Sequence, residues 1–135
     1  MMSTGSKPTL ITAEPQLFVA DIASTCAWFT ERLGFSVAFT WGDPAFHAQV
    51  TRDGAHSNLR CVVEPVADPA RCEREHLLAA SFAVATRADI DALFHEFQTA
   101  GVDFVSSLEV QGWGAADFIE RDPDGNPLHF AGPKA

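Results

Sequence analysis

The clearest hydrophobic pattern in the chain lies between residues 86 and 101. Positions 90, 93, 94 and 97 are apolar, and this i, i+3, i+4, i+7 spacing places their side chains on one face of a helix. Thr86 stands where an N-cap is expected, with Asp89 three residues later in the arrangement of a capping box. Gly101 follows the last apolar turn and can end a helix in the left-handed conformation. The pattern therefore predicts a helix from about Thr86 to Ala100.

A similar pattern occurs near the N-terminus. Trp28, Phe29 and Leu33 form an apolar stripe that one helix face would bury. Asp21 precedes the stripe as a candidate N-cap, and Gly34 follows it as a candidate stop. We predict a helix between these two residues.

Residues with strand periodicity surround both predicted helices. Short apolar runs at 17–19 and 81–84 come before them, while the segments 45–51 and 58–63 alternate apolar and polar positions. Because successive strand side chains point to opposite faces, the apolar positions are expected to pack on the helices. The alternate positions are then predicted to face the concave side of the sheet; these are His47, Gln49, Asn58 and Arg60.

The order of strand, helix and strands with a tight turn occurs twice. Three pairs of corresponding residues, Ile22 with Ile90, Gly34 with Gly101 and Gly54 with Gly125, lie 68, 67 and 71 residues apart. This steady offset indicates two similar units that face each other across a cleft.

Polar and charged segments set the expected boundaries. Residues 1–12 are small and polar and predict a disordered N-terminal segment, and a single domain is expected over residues 13–132. Within it, the first unit covers about 13–66 and the second about 78–132. Residues 67–77 contain Pro69 and alternating charges, which predict a solvated linker with room for one helical turn.

The amino-acid composition limits the kinds of molecule that the protein can bind. The 135 residues carry a net charge of −9, which opposes binding to nucleic acid and to anionic membrane surfaces. Neutral or cationic small molecules and protein partners remain. The three cysteines have no metal-ligand or disulfide spacing, and the first ten residues contain no signal peptide or membrane span, so we expect a reduced, cytoplasmic protein.

Well-known catalytic and cofactor motifs are not found in the sequence. There is no Gly-x-Ser-x-Gly elbow, no P-loop and no dinucleotide-binding fingerprint, so a nucleotide cofactor is not expected. Aromatic residues instead mark the predicted cleft, with Trp41 and Phe46 flanking one turn and Trp113 lying between two glycines. Apolar walls with a few polar groups are typical of a small-molecule site.

These features together resemble a known family. The doubled unit, the helix that runs from Trp28-Phe29 to Leu33-Gly34, and the turn Asp122-Pro123-Asp124-Gly125-Asn126 are similar to the glyoxalase, bleomycin-resistance and extradiol-dioxygenase superfamily, also called vicinal oxygen chelate proteins. The resemblance implies an α+β fold of two βαβββ modules that form a curved mixed sheet with a cleft, with the helices on the outer face. It also implies a homodimer, although the sequence leaves open whether the two chains exchange modules.

The resemblance further implies four places where metal-dependent members carry ligands. In this sequence they fall at Glu14, near Asn58, near Ala79 and at His129. Alanine cannot bind a metal ion and an amide is a weak ligand, so the set lacks the three good ligands of a catalytic site. A shift of the alignment would bring His76 or Glu75 to the third place.

The expected function follows the bleomycin-resistance-like branch: a metal-independent protein that binds an antibiotic-like small molecule, either neutral or cationic. The alternative is a divalent-metal-dependent lyase, isomerase or dioxygenase that uses Glu14 and His129, so whether the chain is an enzyme stays open. Seven residues are predicted to bind the ligand: Trp41, Phe46, His47, Asn58, Arg60, Trp113 and His129. An inward-facing Arg60 could pair with a ligand carboxylate or with Glu14.

Overall fold

The computed structural model describes residues 7–135. Residues 1–6, half of the predicted disordered segment 1–12, lie outside the described residues, and residues 7–12 form neither helix nor strand. No helix within the described range is long and apolar enough to cross a membrane.

Two four-stranded mixed sheets make up the domain, one from each half of the chain. The first half contains β1 (Gln16–Val19), α1 (Ile22–Leu33), β2 (Ser36–Gly42), β3 (Ala45–Arg52) and β4 (Ala55–Cys61). The second half contains β5 (Ala80–Ala83), α3 (Arg87–Ala100), β6 (Asp103–Val110), β7 (Ala115–Arg121) and β8 (Pro127–Pro133), and the short helix α2 (Pro69–Glu75) joins the halves. Sheet 1 has the strand order β1-β4-β3-β2 and sheet 2 the order β5-β8-β7-β6, so the predicted βαβββ repeat is confirmed.

The helix ends are those that the capping residues predict. The Asp21 carboxylate accepts a hydrogen bond from the backbone N–H of Ser24 at 2.8 Å, and Thr86 Oγ1 accepts one from the N–H of Asp89 at 3.0 Å. Gly34 and Gly101 end α1 and α3 in the left-handed conformation. The capping residues therefore determine where α1 and α3 begin and end, independently of how the helices pack.

Each long helix covers one face of its own sheet, and the two helices also contact each other. The core between them is rich in phenylalanine; Phe118 and Phe130 stack at 5.3 Å between ring centroids. Phe35 and Phe82 meet edge to face at 6.1 Å and join the cores of the two modules. One continuous core thus fixes the modules to each other. The face of each sheet that lies opposite its helix is not part of this core.

One strand differs from its predicted limits. The predicted segment 58–63 is the strand Ala55–Cys61, which begins and ends earlier. Its parallel partner β1 has only four residues, and Val62 makes the last bond, to the carbonyl of Val19. Beyond that point no partner strand continues among residues 7–135, and Val63 is fully exposed.

Candidate functional site

The face of sheet 1 opposite α1 carries two cross-strand rows of side chains. The strand register aligns Gln16, Asn58, Gln49 and Phe39 in the first row. It aligns Phe18, Arg60, His47 and Trp41 in the second. The neighbouring positions Ala48, Val50 and Leu59 are buried against the helix side. Alternation along β3 and β4 therefore puts His47, Gln49, Asn58 and Arg60 away from the helix, as predicted.

A hydrogen bond connects two polar members of the first row, Gln49 and Asn58. The Nε2 atom of Gln49 donates to Oδ1 of Asn58 and to Oε1 of Glu14, each at 3.1 Å. Glu14 precedes β1 and reaches this face from the strand entrance. The carboxylate therefore lies beside the polar row, where it can accept a hydrogen bond from a ligand.

Aromatic rings occupy the outer part of the same face. The Phe39 and His47 rings stack at 5.5 Å, and the Arg60 guanidinium lies 4.9 Å from the centroid of Phe46. Trp41 is 68% exposed, a large fraction for the largest apolar side chain. The surface combines flat apolar groups with a few fixed polar ones, the usual composition of a small-molecule site.

The corresponding face of sheet 2 holds a chain of four polar side chains. Ser81 Oγ lies 2.6 Å from Nδ1 of His129, and Nε2 of the same ring lies 2.9 Å from Oδ2 of Asp117. Gln111 donates through Nε2 to the other carboxylate oxygen, Oδ1, at 2.9 Å. Both His129 and Asp117 are largely buried, with side-chain exposures of 18% and 9%.

Three members of this chain, Ser81, Asp117 and Gln111, are missing from the sequence-based prediction. The parallel register of β5 and β8 sets Ser81 opposite His129, and the antiparallel register of β7 and β8 sets Asp117 diagonally beside it. The four residues are spread over positions 81 to 129, so no local motif announces them. Only the period-two alternation of β7, which separates Asp117 and Ile119 from Ala116 and Phe118, places the aspartate on the histidine's face.

The seven predicted ligand-binding residues divide between the two sheets. Five lie together on strands β2 to β4, while His129 lies on β8 and Trp113 in the turn between β6 and β7, where it is 76% exposed. Phe46 shares the strand parity of the buried Ala48, yet it is 40% exposed at the beginning of β3 and contacts Arg60.

The residues at the four expected ligand places do not fit a divalent metal. The register pairs Gln16 with Asn58 and Ser81 with His129, so counting along the sequence to Glu14 and Ala79 misses the paired positions by two residues. Two amides and a hydroxyl are weak ligands for a divalent ion. The one imidazole, His129, already has both ring nitrogens in hydrogen bonds. Within residues 7–135, no three His, Cys, Asp or Glu side chains form a metal-binding group.

A cavity of about 710 Å³ lies between the two modules. The β3–β4 turn forms one wall, and β5 with the facing side of α3 forms the other. Ser81, Phe82 and Leu93 line the second wall, while Arg52 and His56 line the first. A volume in this range matches the pockets that hold drug-sized ligands.

The fold defines a two-module α+β protein with uncovered sheet faces, and comparison with known proteins gives its family. Residues 11–130 match the family model described as the glyoxalase/bleomycin resistance protein/dioxygenase superfamily. The chain belongs to this superfamily. No curated protein is similar in sequence to the chain.

Several solved structures share the fold. A glyoxalase-related enzyme from Clostridium phytofermentans superposes with a TM-score of 0.72 at 22% identity, over 97% of this chain and 99% of that one. TioX from Micromonospora sp. ML1 gives 0.69 at 23% identity, over 89% and 96%. A bleomycin resistance determinant encoded on the transposon Tn5 gives 0.66 at 25% identity, over 93% and 100%. Proteins named for enzymatic activity and for drug resistance thus share one fold, so the fold alone does not distinguish an enzyme from a drug-binding protein.

Proposed function

We propose that the protein binds a flat, antibiotic-like small molecule on the uncovered face of sheet 1, without a metal ion. The observation that carries the proposal is the pair of cross-strand rows, in which exposed aromatic rings stand beside polar groups already held by hydrogen bonds. Preorganised polar groups reduce the cost of ordering on binding. The similarity to the Tn5 bleomycin resistance determinant supports the same class of ligand.

A cationic ligand is favoured by two features. The net charge of −9 attracts cations to the protein as a whole. The Glu14 carboxylate, beside Gln49 and Asn58, can receive an amine, and the exposed face of Trp41 can stack on a cationic or aromatic group. The Arg60 guanidinium on the same face lies against the Phe46 ring.

We further propose that the functional form is a homodimer in a cytoplasmic setting. All seven residues of β2 are exposed, and the strand carries Val37, Phe39 and Trp41. An edge strand with exposed apolar side chains is a surface that a soluble protein normally covers. A second copy of the chain would cover it and close the ligand site from above.

Ligand binding is tested by a thermal-shift screen of cationic glycopeptide antibiotics, followed by titration of the tryptophan fluorescence. Trp41→Ala is expected to weaken binding of the best compound by about 30-fold or more, the usual effect of removing a central aromatic contact. Val63→Ala, at a fully exposed apolar residue outside the site, is the matched control and should bind normally. Equal affinity in the two variants would contradict the proposal, as would a screen without any stabilising compound.

The dimer is tested separately by light scattering coupled to size-exclusion chromatography. The wild-type protein is expected at twice the chain mass of 14.6 kDa, with Trp41→Ser shifting it toward the monomer and Val63→Ser leaving it unchanged. A wild-type monomer at all accessible concentrations would contradict the homodimer.

A further inference from the structure

The hydrogen bonds of the chain Ser81–His129–Asp117 fix the direction in which a proton can move. An aspartate carboxylate only accepts hydrogen bonds, so Asp117 holds the proton of His129 on Nε2. The neutral ring then has a free lone pair on Nδ1, and the Ser81 hydroxyl is the donor to it at 2.6 Å. Gln111 holds the second oxygen of Asp117 at 2.9 Å and prevents the carboxylate from turning away. The arrangement has the connectivity of a nucleophile, a base and an orienting acid.

The serine is also accessible. Ser81 is exposed, whereas His129 and Asp117 behind it are largely buried. A nucleophile needs this combination of an open reacting atom and a base protected from water. The described geometry therefore combines an exposed serine with a hydroxyl that is hydrogen-bonded to a base.

We propose that Ser81 is an activated nucleophile that accepts an acyl group from an activated ester that reaches it from the exposed side of β5. The proposal goes beyond the binding role of sheet 1 and does not depend on it. In the first step the Ser81 oxygen forms a bond to the acyl carbon, and the bond from that carbon to the leaving oxygen breaks. The proton of Ser81 passes to Nδ1 of His129 and from there to the departing alcohol.

Water completes the cycle with the same groups. A water molecule attacks the acyl carbon while its proton passes to Nδ1 of His129, and the bond to Ser81 breaks as the serine recovers that proton. The products are an alcohol and a carboxylic acid, and no oxidant or reductant takes part. Asp117 remains a carboxylate throughout and stabilises the charged ring while it carries the extra proton.

The test uses an alkyl fluorophosphonate probe with a reporter group, which labels activated serines, followed by mass spectrometry of the full chain and its peptides. One label per chain at Ser81 is expected, and Ser81→Ala should abolish it. Asp117→Asn should lower the labelling rate at least about tenfold, because the base loses its orienting group. Ser107→Ala, at an exposed serine of β6, is the matched control and should label at the wild-type rate.

A second measurement on the wild-type protein guards against a variant that fails to fold. p-Nitrophenyl acetate should give a burst of one nitrophenol per chain. No label at Ser81 of the wild-type protein, or no burst of nitrophenol, would overturn the proposal even if ligand binding to sheet 1 is intact.

Discussion

Asn126 donates a hydrogen bond through Nδ2 to the backbone carbonyl of Phe18, 3.1 Å away and 108 residues earlier in the chain. The same nitrogen donates to Oδ2 of Asp122 at 2.8 Å. In addition, the Asp124 carboxylate accepts a bond from the backbone N–H of Ala20 at 2.9 Å. The turn Asp122-Pro123-Asp124-Gly125-Asn126, which is part of the family resemblance, therefore connects the second module to the end of β1 in the first module.

Removing the Asn126 amide should destabilise the fold. Asn126→Ala leaves the Phe18 carbonyl and one oxygen of the buried Asp122 without this donor, which typically costs about 1–3 kcal/mol. We expect this loss in the free energy of unfolding, measured by urea denaturation. Asp124→Ala, which removes a single bond at a less buried residue, should cost less. Equal stability of Asn126→Ala and the wild type would show that the contact does not hold the modules together.

Glu120 predicts a dependence of stability on pH. Its side chain lies on the core side of β7 between Phe104 and Leu128, is fully buried, and has no hydrogen-bond partner among residues 7–135. This burial raises the pKa of the carboxyl from 4.5 to about 8, because the charged form loses its hydration.

The direction of this pH dependence follows from which state, native or unfolded, releases the proton of Glu120. Between pH 4.5 and about 8 the native protein keeps the proton of Glu120 while the unfolded chain releases it, so stability falls as the pH rises. One proton corresponds to about 1.4 kcal/mol per pH unit. Glu120→Gln should remove this slope, and the two proteins should differ most in urea midpoint above pH 8. Parallel stability profiles for the wild type and the variant would contradict the assignment.

Gly125 is expected to tolerate no side chain. It has a φ of +83°, and a Cβ atom there would stand 2.6 Å from Cγ of Pro69 at the beginning of α2. Gly125→Ala should therefore cost roughly 1–3 kcal/mol through backbone strain and displacement of α2. Gly112→Ala is the matched control, because the space around that position is open. A thermal melting temperature that falls equally in both variants would contradict the role of the contact.

The helices were predictable because their signals are local. Asp21, Thr86, Gly34 and Gly101 act within a few residues of the helix ends, and the apolar stripes repeat within one or two turns. The faces of β3 and β4 followed from the alternation of Ala48 and Val50 with His47 and Gln49. These inferences do not require knowing which strand or helix packs against the segment.

The candidate sites were less predictable because they depend on pairing between distant strands. Ser81 meets His129 only through the parallel register of β5 and β8, and the family resemblance placed Ala79 there instead. A shift of two residues keeps a side chain on the same face and gives no warning from the hydrophobic pattern. The linker likewise gave no sign that Pro69 packs on the turn at Gly125.

The metal content of the purified protein tests whether the side chains at the expected ligand positions bind a metal ion. Because Gln16, Asn58 and Ser81 are weak ligands and His129 is bound to Ser81 and Asp117, we expect the purified protein to hold well under one ion per chain. Elemental analysis before and after incubation with zinc, nickel, manganese and iron(II) measures this. His129→Ala should leave the metal content unchanged, and it should abolish labelling at Ser81 if the serine is activated. One ion per chain that disappears in His129→Ala would instead favour the metal-dependent enzyme, with diketones, thiohemiacetals and catechols as the substrates to examine.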